Sequence, residues 1–295
     1  MTQTQAITAA ASGTFTLGGD LTVNRLGFGA MRITGQGIWG PPADKAAALA
    51  TLRRSIELGG NLIDTADSYG PGTSEELIAE ALYPYPAGLV IATKGGWERP
   101  GPGQWTHNSS PKHLTEALEG SLKRLRVDRI DVHQLHAVDN AVSFEASVEA
   151  LAKLREQGKI RHIGLSNVNR EYVERAQKIV PIVSVQNRYS FADRESEHVL
   201  AYCERNGIGF LPWAPLGQAR KAHDAIEKAA KELKATPLQV ALAWLLKRSK
   251  VMLPIPGTSS VAHLEENIAA AGLELPKAAF DELSAVAHSP VSLRG

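Results

Sequence analysis

The sequence predicts an α/β protein folded as a (β/α)8 TIM barrel, preceded by an N-terminal β-hairpin and completed by an additional C-terminal helix. Three observations predict it. Eight short β-type runs alternate with longer amphipathic stretches, the pattern of parallel strands separated by helices. No composition break divides the 295 residues, and barrels reach this size as one domain. Asp64, Tyr69, Lys94 and His136 each fall at or just past the C-terminal end of a predicted strand, the rim on which barrels build their sites.

Taken in order, residues 1–13 read as a flexible tail and residues 14–295 as a single domain. The tail lacks the basic start and apolar stretch of a secretory signal. FTLGGDLTVNRLGFG alternates apolar and polar residues around Gly18-Gly19, a pair that accepts the positive φ of a hairpin turn. Buried strands are expected at 26–31, 61–66, 89–94, 130–136, 161–167, 182–187, 208–213 and 251–256. Between them, Phe144, Val148, Leu151 and Leu154 recur at three- and four-residue steps and give one helix an apolar face. Ser110-Pro111 and Thr236-Pro237 each set a capping hydroxyl before a proline. Gly158 follows the helix that stops at KLREQ. A doubly wound sheet is the competing architecture, but it would carry GxGxxG ahead of its first helix. Only Gly27-Phe28-Gly29 is present, with no helix directly after it.

Composition narrows the partners. A net charge of +1 with 43% hydrophobic residues argues against nucleic acid or an anionic membrane. No apolar run approaches the roughly 20 residues of a membrane helix. The single cysteine, Cys203, excludes an internal disulfide and fits a cytoplasmic protein. With Val199 and Leu200 at helical spacing, it points to the core as a structural thiol.

The rim residues suggest proton transfer. A tyrosine ionises near pH 10 in water, and a neighbouring cation favours its phenolate. Lys94 can supply that cation, and Asp64 on the adjacent strand can partner the lysine. Taken singly, Tyr69 reads as a half-buried aromatic and Asp64 as a turn residue; together at neighbouring strand ends they read as a relay. His133 and His136 raise the question of a metal. Strand side chains alternate faces, so His136 shares a face with Val132 and Gln134 while His133 points to the other side of the wall. No metal is expected; an inward His136 suits a substrate oxygen.

IDTADSYG, the lysine closing IATK, QLH, IGLSN, VQNRYS, WAPLG and TPLQVALAWLL with PIPGTSS and EEN resemble, in order, the motif series of the aldo-keto reductases. The resemblance spans about residues 14–285. It implies a barrel that binds an extended nicotinamide dinucleotide and reduces aldehydes or ketones, with Tyr69, Asp64, Lys94 and His136 catalytic. It also implies that Gly29, Met31 and Asp64 border the cofactor. Ser166, Asn167 and Gln186 would hold the carboxamide. Trp213 would stack on the nicotinamide, where the family commonly has tyrosine. Pro215, Leu216, Gly217 and Gln218 would meet the pyrophosphate, with Arg220 and Lys221 near. Gly257, Thr258 and Ser259 lead to a helix start suited to phosphate, and His263, Glu266 and Asn267 would surround the adenosine. Many relatives have lysine at Gly257 and arginine at His263, two cations for the 2′-phosphate of NADPH. NADPH remains the expected cofactor, with NADH also compatible.

The loops GQGIWGPP and GGWERPGPGQWTHNSS bring Trp39, Trp97 and Trp105 towards the rim, either as an aromatic substrate pocket or as loop packing. AMRITGQGIWGPP and PIPGTSSVAHLEEN resemble a bacterial branch that includes pyridoxal reductases. Pyridoxal and a bulkier ketone are thus the candidate substrates. A nucleotide-binding regulatory subunit with slow turnover and a metal-dependent hydrolase are the alternatives.

Overall fold

The computed structural model describes residues 7–215 and 224–285. Its strands are β1 (Thr14–Leu17), β2 (Leu21–Asn24), β3 (Phe28–Gly29), β4 (Leu62–Asp64), β5 (Val90–Gly95), β6 (Trp97–Glu98), β7 (Thr106–His107), β8 (Ile130–Leu135), β9 (Ile160–Ser166), β10 (Ile182–Arg188) and β11 (Gly209–Trp213). The α-helices are α1 (Lys45–Glu57), α2 (Thr73–Leu82), α3 (Pro111–Leu125), α4 (Phe144–Glu156), α5 (Arg170–Gln177), α6 (Glu197–Asn206), α7 (Asp224–Leu233), α8 (Pro237–Arg248), α9 (Val261–Ala269) and α10 (Lys277–Ser284). The helix starts read from sequence are present. Ser110 accepts from His113 N–H, and Thr236 forms a reciprocal capping box with Gln239.

Seven strands pair in parallel in the order β3-β4-β5-β8-β9-β10-β11. Residues 251–257 close the barrel between β11 and β3. Phe210 N–H donates to Val251 O and Leu253 N–H to Phe210 O, both at 2.8 Å, while Gly27 N–H donates to Pro254 O at 2.9 Å and Gly29 N–H to Pro256 O at 3.3 Å. The eighth run expected at 251–256 is therefore an extended bridge, not a regular strand. Pro254 and Pro256 have no N–H to return those bonds. The first run is likewise regular only over Phe28–Gly29 and passes into a 3-10 turn at Ala30–Ile33.

Part of the stretch expected as a flexible tail is ordered. Ala9–Ser12 forms a 3-10 turn; Ala9 N–H donates to Leu58 O, and Ser12 Oγ accepts from Leu26 N–H at 3.0 Å. Ala9 is fully buried, because alanine is small enough to seat beside the end of α1. The hairpin β1–β2 forms as expected, with Gly18 and Gly19 both at positive φ. It plugs the barrel floor: Leu17, Leu21 and Val23 join Leu62, Val90, Ala92, Val132, Leu211 and Leu253 in one interior cluster.

A larger core fills the space between strands and helices, with Ile63, Ile91, Leu135, Leu165 and Val185 facing Leu118, Val148, Leu151 and Val173. The two clusters follow from period-two alternation along strands buried on both faces. Cys203 lies in the outer core, where burial pushes its thiol up to about 12. His133 packs outward near Gly95 and Ala117, opposite to His136 as alternation requires. Among the described residues no helix is long and apolar enough to cross a membrane.

Candidate active site

Alternation that sends Leu62, Val90 and Val132 into the barrel also sends in the next residues of the same parity, Asp64, Lys94 and Gln134. Lys94 is fully buried. Its Nζ donates to Asp64 Oδ2 at 2.7 Å, to Thr65 O at 2.7 Å and to Tyr69 Oη at 3.4 Å. An ammonium has three N–H donors, so each has an acceptor. Burial opposes the charge, but Asp64 and Tyr69 outweigh it, and the lysine pKa lies above its ordinary value. Asp64 Oδ1 accepts from Gln134 Nε2 at 3.1 Å and from Gln186 Nε2 at 2.7 Å.

Tyr69 lies in the loop after β4, 7% exposed. Its pKa is raised: burial pushes it up, Lys94 pulls it down, and Asp64 pushes it up again. The cost of burying a phenolate thus exceeds the help of the neighbouring cation. His136 follows β8, with its ring edge-on to Tyr69 at 5.8 Å between centroids. Burial first, then Lys94, holds its pKa well below the usual value, so the imidazole is neutral at pH 7. Ser68 Oγ lies 3.4 Å from its Nδ1.

Trp97 stands edge-on to His136 at 6.3 Å and to Trp105 at 5.7 Å, and lies across His107 at 3.9 Å. β6 and β7 pair antiparallel to hold that loop. Trp39 bridges to Gly70 across the mouth. All three predicted pocket tryptophans therefore gather at this rim.

Around the rim, Ser166 closes β9 and Asn167 follows at φ 57°. Asn167 Nδ2 donates to His136 O and Ser166 Oγ, and its Oδ1 accepts from Trp213 Nε1 at 2.9 Å. The amide expected to meet a ligand is thus already joining three strand ends. It fixes the plane of Trp213, whose ring is partly exposed. Gln186 likewise spends its amide on Asp64. Pro215 is buried; Leu216, Gly217, Gln218, Arg220 and Lys221 lie outside the described residues.

Gly29 and Gly257 meet backbone to backbone. A Cβ on Gly29 would lie 2.6 Å from Ile255 O, and one on Gly257 would lie 2.7 Å from Gly29 O. Met31 is partly exposed just beyond. Ser260 caps α9, and Thr258 Oγ1 accepts from Ser260 N–H at 3.1 Å, with Ser259 between them. On α9, His263 is exposed and Asn267 buried. Glu266 Oε1 instead accepts from Thr236 Oγ1 at 2.6 Å.

Sequence reasoning missed Gln134, Thr65 and Arg32. Gln134 shares the inward parity of His136, a signal available in the sequence. Arg32 Cγ lies 3.4 Å from where a Gly257 Cβ would stand, so an exposed cation neighbours the position that carries lysine in many relatives. Among the described residues no group of three or more His, Cys, Asp or Glu side chains is placed to hold a metal.

The sequence model of the aldo/keto reductase family matches residues 25–288. An uncharacterised oxidoreductase of Schizosaccharomyces pombe is 49% identical over 280 residues, 94% of this chain and 91% of that protein. Pyridoxine 4-dehydrogenase of Escherichia coli is 43% identical over 284 residues, 94% of this chain and 99% of that protein. The crystal structure of an aldo-keto reductase from Klebsiella pneumoniae in complex with NADPH superposes with a TM-score of 0.78 at 27% identity, covering 92% of this chain and 93% of that one.

Proposed function

Since the chain belongs to the aldo/keto reductase family, we propose that it reduces an aromatic aldehyde or ketone with NADPH, Tyr69 giving the proton. The observation that carries this reading is the hydrogen bond from Lys94 Nζ to Tyr69 Oη. Because the lysine donates, the phenolic hydrogen is directed elsewhere, free for a ligand oxygen.

The residues fit a nicotinamide dinucleotide. Gly29 and Gly257 let two backbones close together beside the capped start of α9, where N–H groups and the helix dipole favour phosphate. Arg32 adds a cation there. Ser166, Asn167 and Gln186 would border the nicotinamide, and Trp213, oriented by Asn167, offers it a face. Bound there, the nicotinamide would supply the hydride.

The chain's own residues handle the proton. A raised phenol pKa keeps the proton on Tyr69 until the carbonyl oxygen gains negative charge. Lys94 then stabilises the phenolate, and Asp64 with Thr65 O keeps the ammonium aimed. Neutral His136, anchored near Ser68 through Nδ1, leaves Nε2 for the same oxygen. The relay runs in either direction, so alcohol oxidation uses the same atoms. Trp97 beside His136 favours a flat aromatic carbonyl, and pyridoxal is one candidate given the relative that acts on pyridoxine; a bulkier ketone is the other.

The test is Tyr69→Phe. Carbonyl-dependent NADPH oxidation should fall by about 10²–10⁴-fold, with NADPH binding by fluorescence titration unchanged. Reduction at the parent rate in that variant sinks the assignment.

A further inference from the structure

Arg99, in the long loop after β5, makes four hydrogen bonds, all to backbone carbonyls. Nε donates to Gln104 O at 2.8 Å, Nη1 to Ile38 O and Ser68 O at 2.9 Å, and Nη2 to Gly37 O at 3.0 Å. These acceptors belong to the loops after β3, β4 and β5. Its guanidinium carbon also lies 3.7 Å from the ring centroid of Trp105 and 5.7 Å from that of Trp39.

A planar cation with a fork of donors can bond several carbonyls and stack on indole faces at once. Arg99 does both. It joins Trp39 and Trp105 to one rigid group, and Trp105 meets Trp97, which meets His136. The result is a run of rings in alternating edge-to-face contact from the rim to His136. Ser68, whose carbonyl Arg99 holds, is next to Tyr69 and carries the hydroxyl near His136 Nδ1. Tyr69 itself is held by other bonds, its N–H donating to Ala66 O and its hydroxyl accepting from Lys94, so the guanidinium fixes the aromatic rings and not the proton donor.

We propose that Arg99 is a positioning residue that sets the substrate class: by clamping three rim loops it holds Trp39, Trp97 and Trp105 as a slot for flat aromatic carbonyls. This rests on the carbonyl-reductase reading and names the substrate class for that same site. The fork is essential to the role; a lysine ammonium lacks the planar reach to bond four carbonyls while stacking.

The experiment compares parent, Arg99→Met and Arg99→Lys with benzaldehyde and propanal. It measures KM and kcat for each, and benzaldehyde binding by quenching of tryptophan fluorescence. In Arg99→Met, KM for benzaldehyde and its quenching midpoint should rise at least about tenfold, while propanal kinetics stay within about twofold. Arg99→Lys should fall between and serves as the decisive variant if Arg99→Met does not fold. Equal losses with both aldehydes, or no change with either, overturn the proposal. A parent that turns over neither aldehyde sinks the reductase reading alone, because the quenching midpoints still decide the role of Arg99.

Discussion

Lys94 Nζ lies 2.7 Å from Asp64 Oδ2, and neither side chain is more than 4% exposed. An ion pair this deep gains little net stability, since desolvation consumes most of the attraction. What it fixes is position. Thr65 O holds the same ammonium, and Gln134 and Gln186 hold the other carboxylate oxygen, so the third N–H points at Tyr69.

Removing one partner exposes that cost. Lys94→Met strands the Asp64 carboxylate in the barrel with only two amide donors. Stability should fall by about 3–5 kcal/mol and kcat by at least about 10²-fold, read from denaturant unfolding and steady-state reduction. A variant with near-parent stability would mean that Asp64 takes up a proton or water enters the barrel.

The proposed adenosine end offers a contrast between two substitutions that would add a cation. His263 is exposed on the first turn of α9, so His263→Arg displaces nothing and, under the proposed cofactor placement, reaches the 2′-phosphate. NADPH affinity relative to NADH should rise about tenfold. Gly257→Lys places a Cβ 2.7 Å from Gly29 O and forces β3 and the closing run apart. It should lower the melting temperature and give no comparable gain. Tighter NADPH binding at an unchanged melting temperature would show that these backbones separate freely.

Most of the barrel was legible because its central strands are apolar on both faces and its helices carry local caps. Asp64 and Lys94 were legible because each lies at a strand end where alternation sets its direction, His136 because it directly follows β8, and Tyr69 because it sits in the loop just past β4. Three kinds of information were not. Pro254 and Pro256 permit an extended path while deleting half the ladder, so the eighth run looked like a strand. The partners of Asn167, Gln186 and Glu266 were hidden too, because their side chains bond Trp213, Asp64 and Thr236, 30 or more positions away in every case. Arg99 gave no signal at all, because three of its four acceptors are carbonyls 31 to 62 residues upstream and a carbonyl is common to every residue type.

His133 shows a pH dependence with a definite sign. It is fully buried, both ring nitrogens lack hydrogen-bond partners, and burial pushes its pKa down to about 4. An unfolded histidine takes up a proton near pH 6.5. Between those values the unfolded chain binds a proton that the folded chain refuses, so stability is lost as pH falls from about 6.5 towards 4. His133→Leu removes that term. At pH 7 both forms are neutral and the lost nitrogens were unbonded, so the substitution should be neutral or mildly stabilising. At pH 5 the advantage should reach about 2 kcal/mol, a few degrees in melting temperature. His136, whose pKa is lowered in the same direction, keeps part of the acid sensitivity in the variant. Melting curves at the two pH values decide the matter: an equal shift at both would mean that His133 titrates alike in the folded and unfolded chains.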